Sequence, residues 1–503
     1  MISPSAFRAA PATHAHRLTA PLALVLLLLA GALSGCATNP ATGSSFFNLM
    51  SAEKEQKVGD EEHPKLVAQF GGEVIDARIT RYIDGIGQRL ARHSELPNLK
   101  YSFTLLDTDM INAFALPGGY VHITRGLLAL ANSEAEVAGV MAHEIGHITG
   151  RHTAQRYSQS VLAGIGVNVL SILTRSRELG QLAGTGADLY LRSYSRDHEF
   201  EADTLGVRYL KRAGYDAKAM ASFLASLRAH SQLEAQIQGL APGKIDERDL
   251  MATHPRTVER VERAVAAANG SNTVANPRVG RDAYLATIDG MVYGDSPVQG
   301  FARGRDFMHP LLRFCFRVPP GFTLANTANR VIGKGPDKSL FIFDGGKMKG
   351  RSSLTDYLVN VWGRGLRLDK REQITINGLP AATAQARANT SSGTMDLRFI
   401  AIDGGDGQVW RMMFMTPPAK TEAMSRDLRE ATYSFRIASA AEAATWKPWV
   451  IRLHRVVAGD TVESLAARMP FTTLKAERFR TLNGMGPGEP LRLGETVKLV
   501  VQS

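Results

Sequence analysis

SEAEVAGVMAHEIGHITGRH, residues Ser133 to His152, is the stretch from which the rest of the chain is read. Within it, His143-Glu144-Ile145-Gly146-His147 forms an H-E-x-x-H motif. An α-helix turns once in about 3.6 residues, so His143 and His147 fall one turn apart on one face. Two imidazoles so placed can grip one Zn²⁺. Glu144, beside the first ligand, is placed to act as general base on an attacking water. The flanking residues favour the helix the motif needs. Ser133 with Glu136 three residues on reads as a capping box. Glu134 and Glu136 suit the positive end of the helix dipole. Ala135, Val137, Val140, Met141 and Ile145 provide a buried face. A core helix whose histidines bond backbone groups is the competing reading, but it leaves Glu144 stranded in an apolar run.

The whole chain has 503 residues, 44% hydrophobic and 21% charged. That is the composition of globular protein, with length for roughly two to four domains. Formal charge is +11, and removal of Arg8 and Arg17 with a leader leaves +9. A basic exported protein can lean on anionic lipid or wall polymer. No nucleic-acid motif accompanies the charge, so no nucleic-acid partner is expected. The two cysteines, Cys36 and Cys315, make no disulfide framework if Cys36 is modified.

Residues 1–35 read as a targeting segment. Arg8 and Arg17 precede an apolar run from Pro21 to Leu33, too short for a membrane span. The run ends in Leu33-Ser34-Gly35-Cys36, which resembles the lipobox of bacterial lipoproteins. The resemblance implies an acylated Cys36 and a lipid-anchored protein. Ala37 in place of Asp favours the periplasmic face of the outer membrane of a Gram-negative bacterium. Residues 36–50, rich in small polar side chains, read as a tether. Helical patterns follow from Ser51 and from Asp76 to His93, then a strand from Tyr101 to Leu106. Asn112-Ala113-Phe114-Ala115-Leu116-Pro117-Gly118-Gly119-Tyr120-Val121-His122-Ile123 reads as strand, tight turn and strand. An edge strand there could hold an extended peptide by its backbone; a purely structural hairpin fits the same residues. Val161 to Leu173 reads as a buried apolar helix, with a lid or membrane-facing segment as alternatives.

A zinc site built on H-E-x-x-H needs a third protein ligand, commonly from a later helix. Ser195-Arg196-Asp197-His198-Glu199-Phe200-Glu201-Ala202-Asp203 offers candidates. Glu199 and Asp203 share a helix face, and Glu201 points nearly the other way. One carboxylate can bind metal while the other orients a histidine. His198 is a rival ligand on spacing, and a solvated acidic helix remains open.

NAFALPGG, HEIGH and SRDHEFEAD in that order resemble metallopeptidase family forty-eight. These are the gluzincins that include the CAAX prenyl protease, the heat-shock membrane protease HtpX and the periplasmic β-barrel assembly-enhancing protease. The resemblance covers about residues 50–265. It implies that His143, His147 and Glu199 bind one Zn²⁺ per chain and that Glu144 is the base. Asp203 then supports a ligand, and Asn112, Ala113, Phe114 and Ala115 lie in the substrate-binding strand. Thr253-His254-Pro255, with Arg260 beyond, also matches, and implies that His254 can cap the zinc as a latch; a helix start at Pro255 is the plainer reading. The chain departs from the family's membrane members in having no transmembrane pattern, and no tetratricopeptide period follows residue 265.

Residues 268–300 read as a linker with a short helix, and 301–440 as an α+β domain without a catalytic constellation. Cys315, between Phe314 and Phe316, reads as core. Residues 450–503 resemble a LysM module of strand, helix, helix and strand, whose family binds peptidoglycan. The expected architecture is thus multidomain: a mainly α, zincin-type metallopeptidase domain over 51–267 with a small sheet, then the α+β domain, then the βααβ module. The expected function is zinc-dependent hydrolysis of unfolded or misassembled envelope proteins in periplasmic quality control. An envelope chaperone or peptidoglycan-tethered adaptor with a latent zinc site is the alternative, and muropeptide hydrolysis a third.

Overall fold

The computed structural model describes residues 36–161, 193–240, 254, 260, 263, 266, 275–348, 353–390 and 393–503. Residues 1–35, where a leader is expected, the side chain of Cys36 and nearly all of the apolar run 161–173 lie outside the described residues. Among the described residues, no helix is long and apolar enough to cross a membrane.

The first described element is a hairpin of β1 (Cys36–Thr38) and β2 (Ser45–Phe47). This corrects the expected tether over 36–50. Asn39 is buried, and its side-chain oxygen accepts from Ala41 N and Thr42 N to close the turn. Ser51 then caps α1 (Ala52–Gln69). Asp76 caps α2 (Ala77–Ala91), which buries Ile79, Ile83, Ile86 and Leu90 along one face at helical spacing. A three-stranded sheet follows, made of β3 (Ser102–Leu106), β4 (Ala113–Leu116) and β5 (Tyr120–Thr124). Its order is β3-β5-β4, so β4 is an edge, antiparallel to β5, while β3 runs parallel to β5. Gly118 and Gly119 turn the hairpin with φ of 82° and 95°, a conformation that side chains resist.

A short helix, α3 (Arg125–Leu130), leads to the motif helix α4 (Glu134–Thr149). Every residue of α4 except Ile148 is buried, so the helix is the centre of the core and not a one-faced amphipathic element. Only half of the expected capping box forms. Ser133 Oγ accepts from Glu136 N at 3.2 Å, but the Glu136 carboxylate accepts from Asn132 N at 2.7 Å and from Ser222 Oγ. Helices α5 (Arg196–Arg212) and α6 (Lys218–Ile237) pack on α4. Gly146 permits the close crossing with α5: a Cβ there would lie 3.0 Å from Ala202 O.

Residues 275–300 are more than a linker. In α7 (Arg281–Ile288), Tyr284, Leu285 and Ile288 join the largest hydrophobic core beside α2 and α4. Arg125 donates to Val292 O and Gly294 O, fixing β6 (Val292–Tyr293) in place. The region 301–440 is antiparallel sheet, as its strand pattern predicts. β7 (Phe301–Arg303), β8 (Asp306–His309) and β9 (Phe314–Arg317) form one small sheet with β17 (Arg436–Ile437). The other sheet comprises β10 (Thr323–Asn326), β11 (Arg330–Lys334), β12 (Leu340–Lys347), β13 (Asp369–Ile376), β14 (Leu379–Thr390), β15 (Gly393–Asp403) and β16 (Gln408–Thr416), in the order 10-11-12-16-15-14-13. Helix α8 (Pro418–Tyr433) packs on β15 and β16. Cys315 is not core: Phe314 and Phe316 bury themselves, and strand alternation turns the half-buried Cys315 to the other face.

The last region has the expected order: β18 (Trp449–Arg455), α9 (Val462–Ala467), α10 (Lys475–Leu482) and β19 (Thr496–Gln502). It is not a detached module. β6 pairs with β18, and Ile451 lies in the same core as α4. Lys498 Nζ is buried and donates to the carbonyls of Ala129, Leu130 and Ala131 at 2.7, 3.3 and 2.7 Å. Those carbonyls at the end of α3 have no helical partner of their own.

Candidate metal centre

His143 and His147, one turn apart on α4, bring their Nε2 atoms to 3.0 Å. Glu199 reaches them from the first turn of α5, with Oε2 3.5 Å from His143 Nε2 and Oε1 3.5 Å from His147 Nε2. His254 completes the group: Nδ1 lies 3.2 Å from His143 Nε2 and 2.9 Å from Glu199 Oε1. All four donors are buried and lie within 4.8 Å of one another. Donors held about 2.0–2.1 Å from one ion at tetrahedral angles sit about 3.3 Å apart. Three imidazoles and a carboxylate, with donor atoms all within 4.8 Å of one another and close pairs at 2.9–3.5 Å, therefore fit one Zn²⁺ in donor chemistry and can close on it with small shifts.

The surrounding charges point the same way. Asp203 Oδ1 lies 2.9 Å from His143 Nδ1 and fixes that ring. Arg260 clamps both carboxylates of α5, with Nε and Nη2 on Asp203 at 2.7 and 2.8 Å and Nη1 2.6 Å from Glu199. Burial works against positive charge on His143, but Asp203 and Glu199 outweigh it and lift its imidazole to about 10. The field that favours a proton there also favours a divalent cation. His147, by contrast, is held well below its ordinary value by burial, which keeps it neutral as a ligand must be. Burial opposes ionisation of Glu199, yet His254, His143 and His147 hold its carboxyl well below the usual range.

Glu144 is fully buried, and neither carboxylate oxygen has a hydrogen-bond partner among the described residues. Burial raises its affinity for a proton, against the pull of His254 and His143. An unbonded carboxylate of raised basicity beside the donor cluster is suited to take a proton from water. The nearest histidine nitrogen to it is His254 Nε2, 3.4 Å from Oε1.

The other expected positions separate. Asp203 stands where it supports His143. Asn112, Ala113, Phe114 and Ala115 lie in or beside edge strand β4, which packs against α4. Asn112 is buried with its side-chain oxygen unbonded among the described residues, and Phe114 stacks on His122 at 4.6 Å. His198 is outside the cluster; it stacks on His152 at 4.4 Å and contacts Gln155. Two contributors escaped the sequence reading. Tyr194 stacks on the His147 ring at 3.9 Å, and His152 Nδ1 lies 2.8 Å from His147 Nδ1. His152 follows His147 by five residues and would leave the shared face of a regular helix. Arg151 breaks the helix with φ of 53° and swings His152 back. No periodicity signals that return.

Comparison with known proteins agrees with this geometry. Residues 77–268 match the model of Peptidase family M48. The chain is 31% identical over 261 residues to the beta-barrel assembly-enhancing protease of Escherichia coli, covering 50% of each chain. The Yersinia pestis protein of the same name is 30% identical over 239 residues, 46% of this chain and 47% of its own. The mitochondrial metalloendopeptidase OMA1 of Arabidopsis thaliana is 31% identical over 171 residues, 34% of this chain and 32% of its own. The chain spans about half the length of the first of these relatives.

Proposed function

From residues 77–268, a peptidase family M48 domain, we propose that this protein is a zinc-dependent endopeptidase that hydrolyses peptide bonds of envelope proteins in quality control. One observation carries the reading: four buried donors converge at the spacing of one ion, with the unbonded Glu144 carboxylate beside them. His143, His147 and Glu199 hold the metal in the working enzyme. Bound zinc supplies a Lewis acid that polarises the scissile carbonyl and stabilises the charge that develops on it. Glu144 takes a proton from the attacking water and returns it to the leaving amine. Asp203 and Arg260 keep His143 and Glu199 oriented, and β4 holds the substrate extended by backbone hydrogen bonds along its free edge. Acylation of Cys36 and contact of the C-terminal region with peptidoglycan belong to the same proposal. They place the enzyme at the periplasmic face of the outer membrane.

A second reading is favoured by His254. It occupies the fourth corner of the donor set and faces Glu144, where water and substrate would enter. In that reading the site is latent, and clients are held until His254 leaves. Casein cleavage, with zinc content measured on each protein, separates the readings. The enzyme reading predicts cleavage by wild type, and a fall of at least about 100-fold in Glu144→Gln at equal zinc. The latent reading predicts an inactive wild type and an active His254→Ala. Equal cleavage by wild type and Glu144→Gln contradicts both.

A further inference from the structure

A histidine that ligates metal through one ring nitrogen usually donates its other N–H to a neighbour, which fixes its tautomer and orientation. For His143 the neighbour is Asp203, whose Oδ1 lies 2.9 Å from Nδ1 as an electrostatic contact without hydrogen-bond geometry. For His147 it is another histidine, His152, fully buried at 2.8 Å. With His147 Nε2 directed at the donor cluster, Nδ1 carries the proton and His152 Nδ1 accepts it. His152 is then protonated on Nε2. That nitrogen faces Glu201 Oε1 across 3.6 Å, an electrostatic contact longer than a hydrogen bond. The same carboxylate oxygen accepts from Asn39 Nδ2 at 2.6 Å. One tautomer assignment thus orders the row, with the His147 N–H donated to His152 and the His152 N–H turned towards the Glu201 carboxylate, away from the metal centre.

Asn39 belongs to the N-terminal hairpin, 162 residues away from Glu201 in sequence. Other contacts hold the same arm to the same place. Leu49 N donates to Ser158 Oγ, and Arg151 reaches Met50 O and the Glu55 carboxylate. Arg151 is also the residue whose left-handed backbone returns His152 to His147. The arm therefore holds both ends of the row.

We propose that His152 and Glu201 are positioning residues for His147, and that Asn39 makes the N-terminal arm a structural part of the metal centre, so that loss of the arm's contact weakens zinc binding. This rests on the zinc reading above, and the test is metal affinity, independent of catalysis. Zn²⁺ is titrated into each purified, full-length protein against a chromophoric chelator, with thermal unfolding as the control for folding. His152→Gln keeps an acceptor for His147 and a donor for Glu201, and binds zinc within about threefold of wild type. His152→Phe keeps the ring stack on His198 but loses the acceptor, and weakens zinc by about 10–100-fold. Asn39→Asp sets a second carboxylate against Glu201 and weakens zinc by at least about 10-fold. A packing role alone gives the reverse order, with Phe retaining zinc and Gln losing it, and overturns the proposal. So does an Asn39→Asp protein with wild-type affinity, for the arm's part. Wild type that does not compete for zinc at all overturns the metal reading, a result distinct from either.

Discussion

His122 shows how much of this site's behaviour is set by burial at single residues. It sits on β5, fully enclosed between Phe114 and His63, with its Nε2 2.9 Å from His63 Nδ1. Burial, and then the charge of His63, pushes its imidazole down to about 3. The unfolded chain takes up that proton near pH 6.5. Between about 6.5 and 3 the unfolded state therefore binds more protons than the folded one, and stability falls as pH drops through that window. The contribution is at most about 1.4 kcal/mol per pH unit. Urea unfolding measured from pH 7 to 4 should show a shallower acid decline in His122→Gln than in wild type; equal slopes contradict the assignment. Glu144 is the opposite case, a carboxylate whose burial raises its basicity. The motif made Glu144 legible in the sequence, because its partners lie within one helical turn. His152 and Tyr194 were not legible, because a left-handed residue and a contact from beyond the helix bring them to His147.

The elements were read well where the signal was local. The helical patterns from Ser51 and from Asp76 are α1 and α2, the Ser133 cap starts α4, and the strand expected over Tyr101 to Leu106 is β3 but for its first residue. Readings failed where an element is defined by what it packs against. The short helix expected in 268–300 is α7, but the Gly-, Asn- and Pro-rich composition does not show that three of its residues enter the core beside α2 and α4. The segment 36–50 looks like a tether until Asn39 finds Glu201. β19 likewise acts through a contact no pattern announces: Lys498 supplies the donors for three carbonyls at the end of α3, just ahead of the motif helix. Lys498→Met leaves the Ala129 and Ala131 carbonyls without their donor, while Leu130 O keeps Asn132 Nδ2 at 2.9 Å. It should cost on the order of 1–3 kcal/mol, read as a lowered urea midpoint. Unchanged stability would mean that β19 merely lies against α3.

On the scale of the whole molecule, the core around α4 receives residues from both ends of the described chain. The N-terminal hairpin reaches Glu201 on α5, and β18 and β19 supply Ile451 and Lys498 to the region around α3 and α4. The core around α4 is completed by residues hundreds of positions away in sequence. The region 301–440 keeps its own two cores between its sheets and helices. In the proposed enzyme, with His254 at the fourth corner, His143, His147 and Glu199 hold one zinc that the protein uses to cleave peptide bonds. Titrating Zn²⁺ into metal-stripped protein while following casein cleavage tests it most directly. Cleavage should rise with zinc and saturate at one equivalent per chain, in wild type or, if the latch holds, in His254→Ala. Glu144→Gln should take up the same equivalent and cleave nothing. Cleavage that persists in stripped protein, or one bound equivalent with no cleavage in either wild type or His254→Ala, would contradict it.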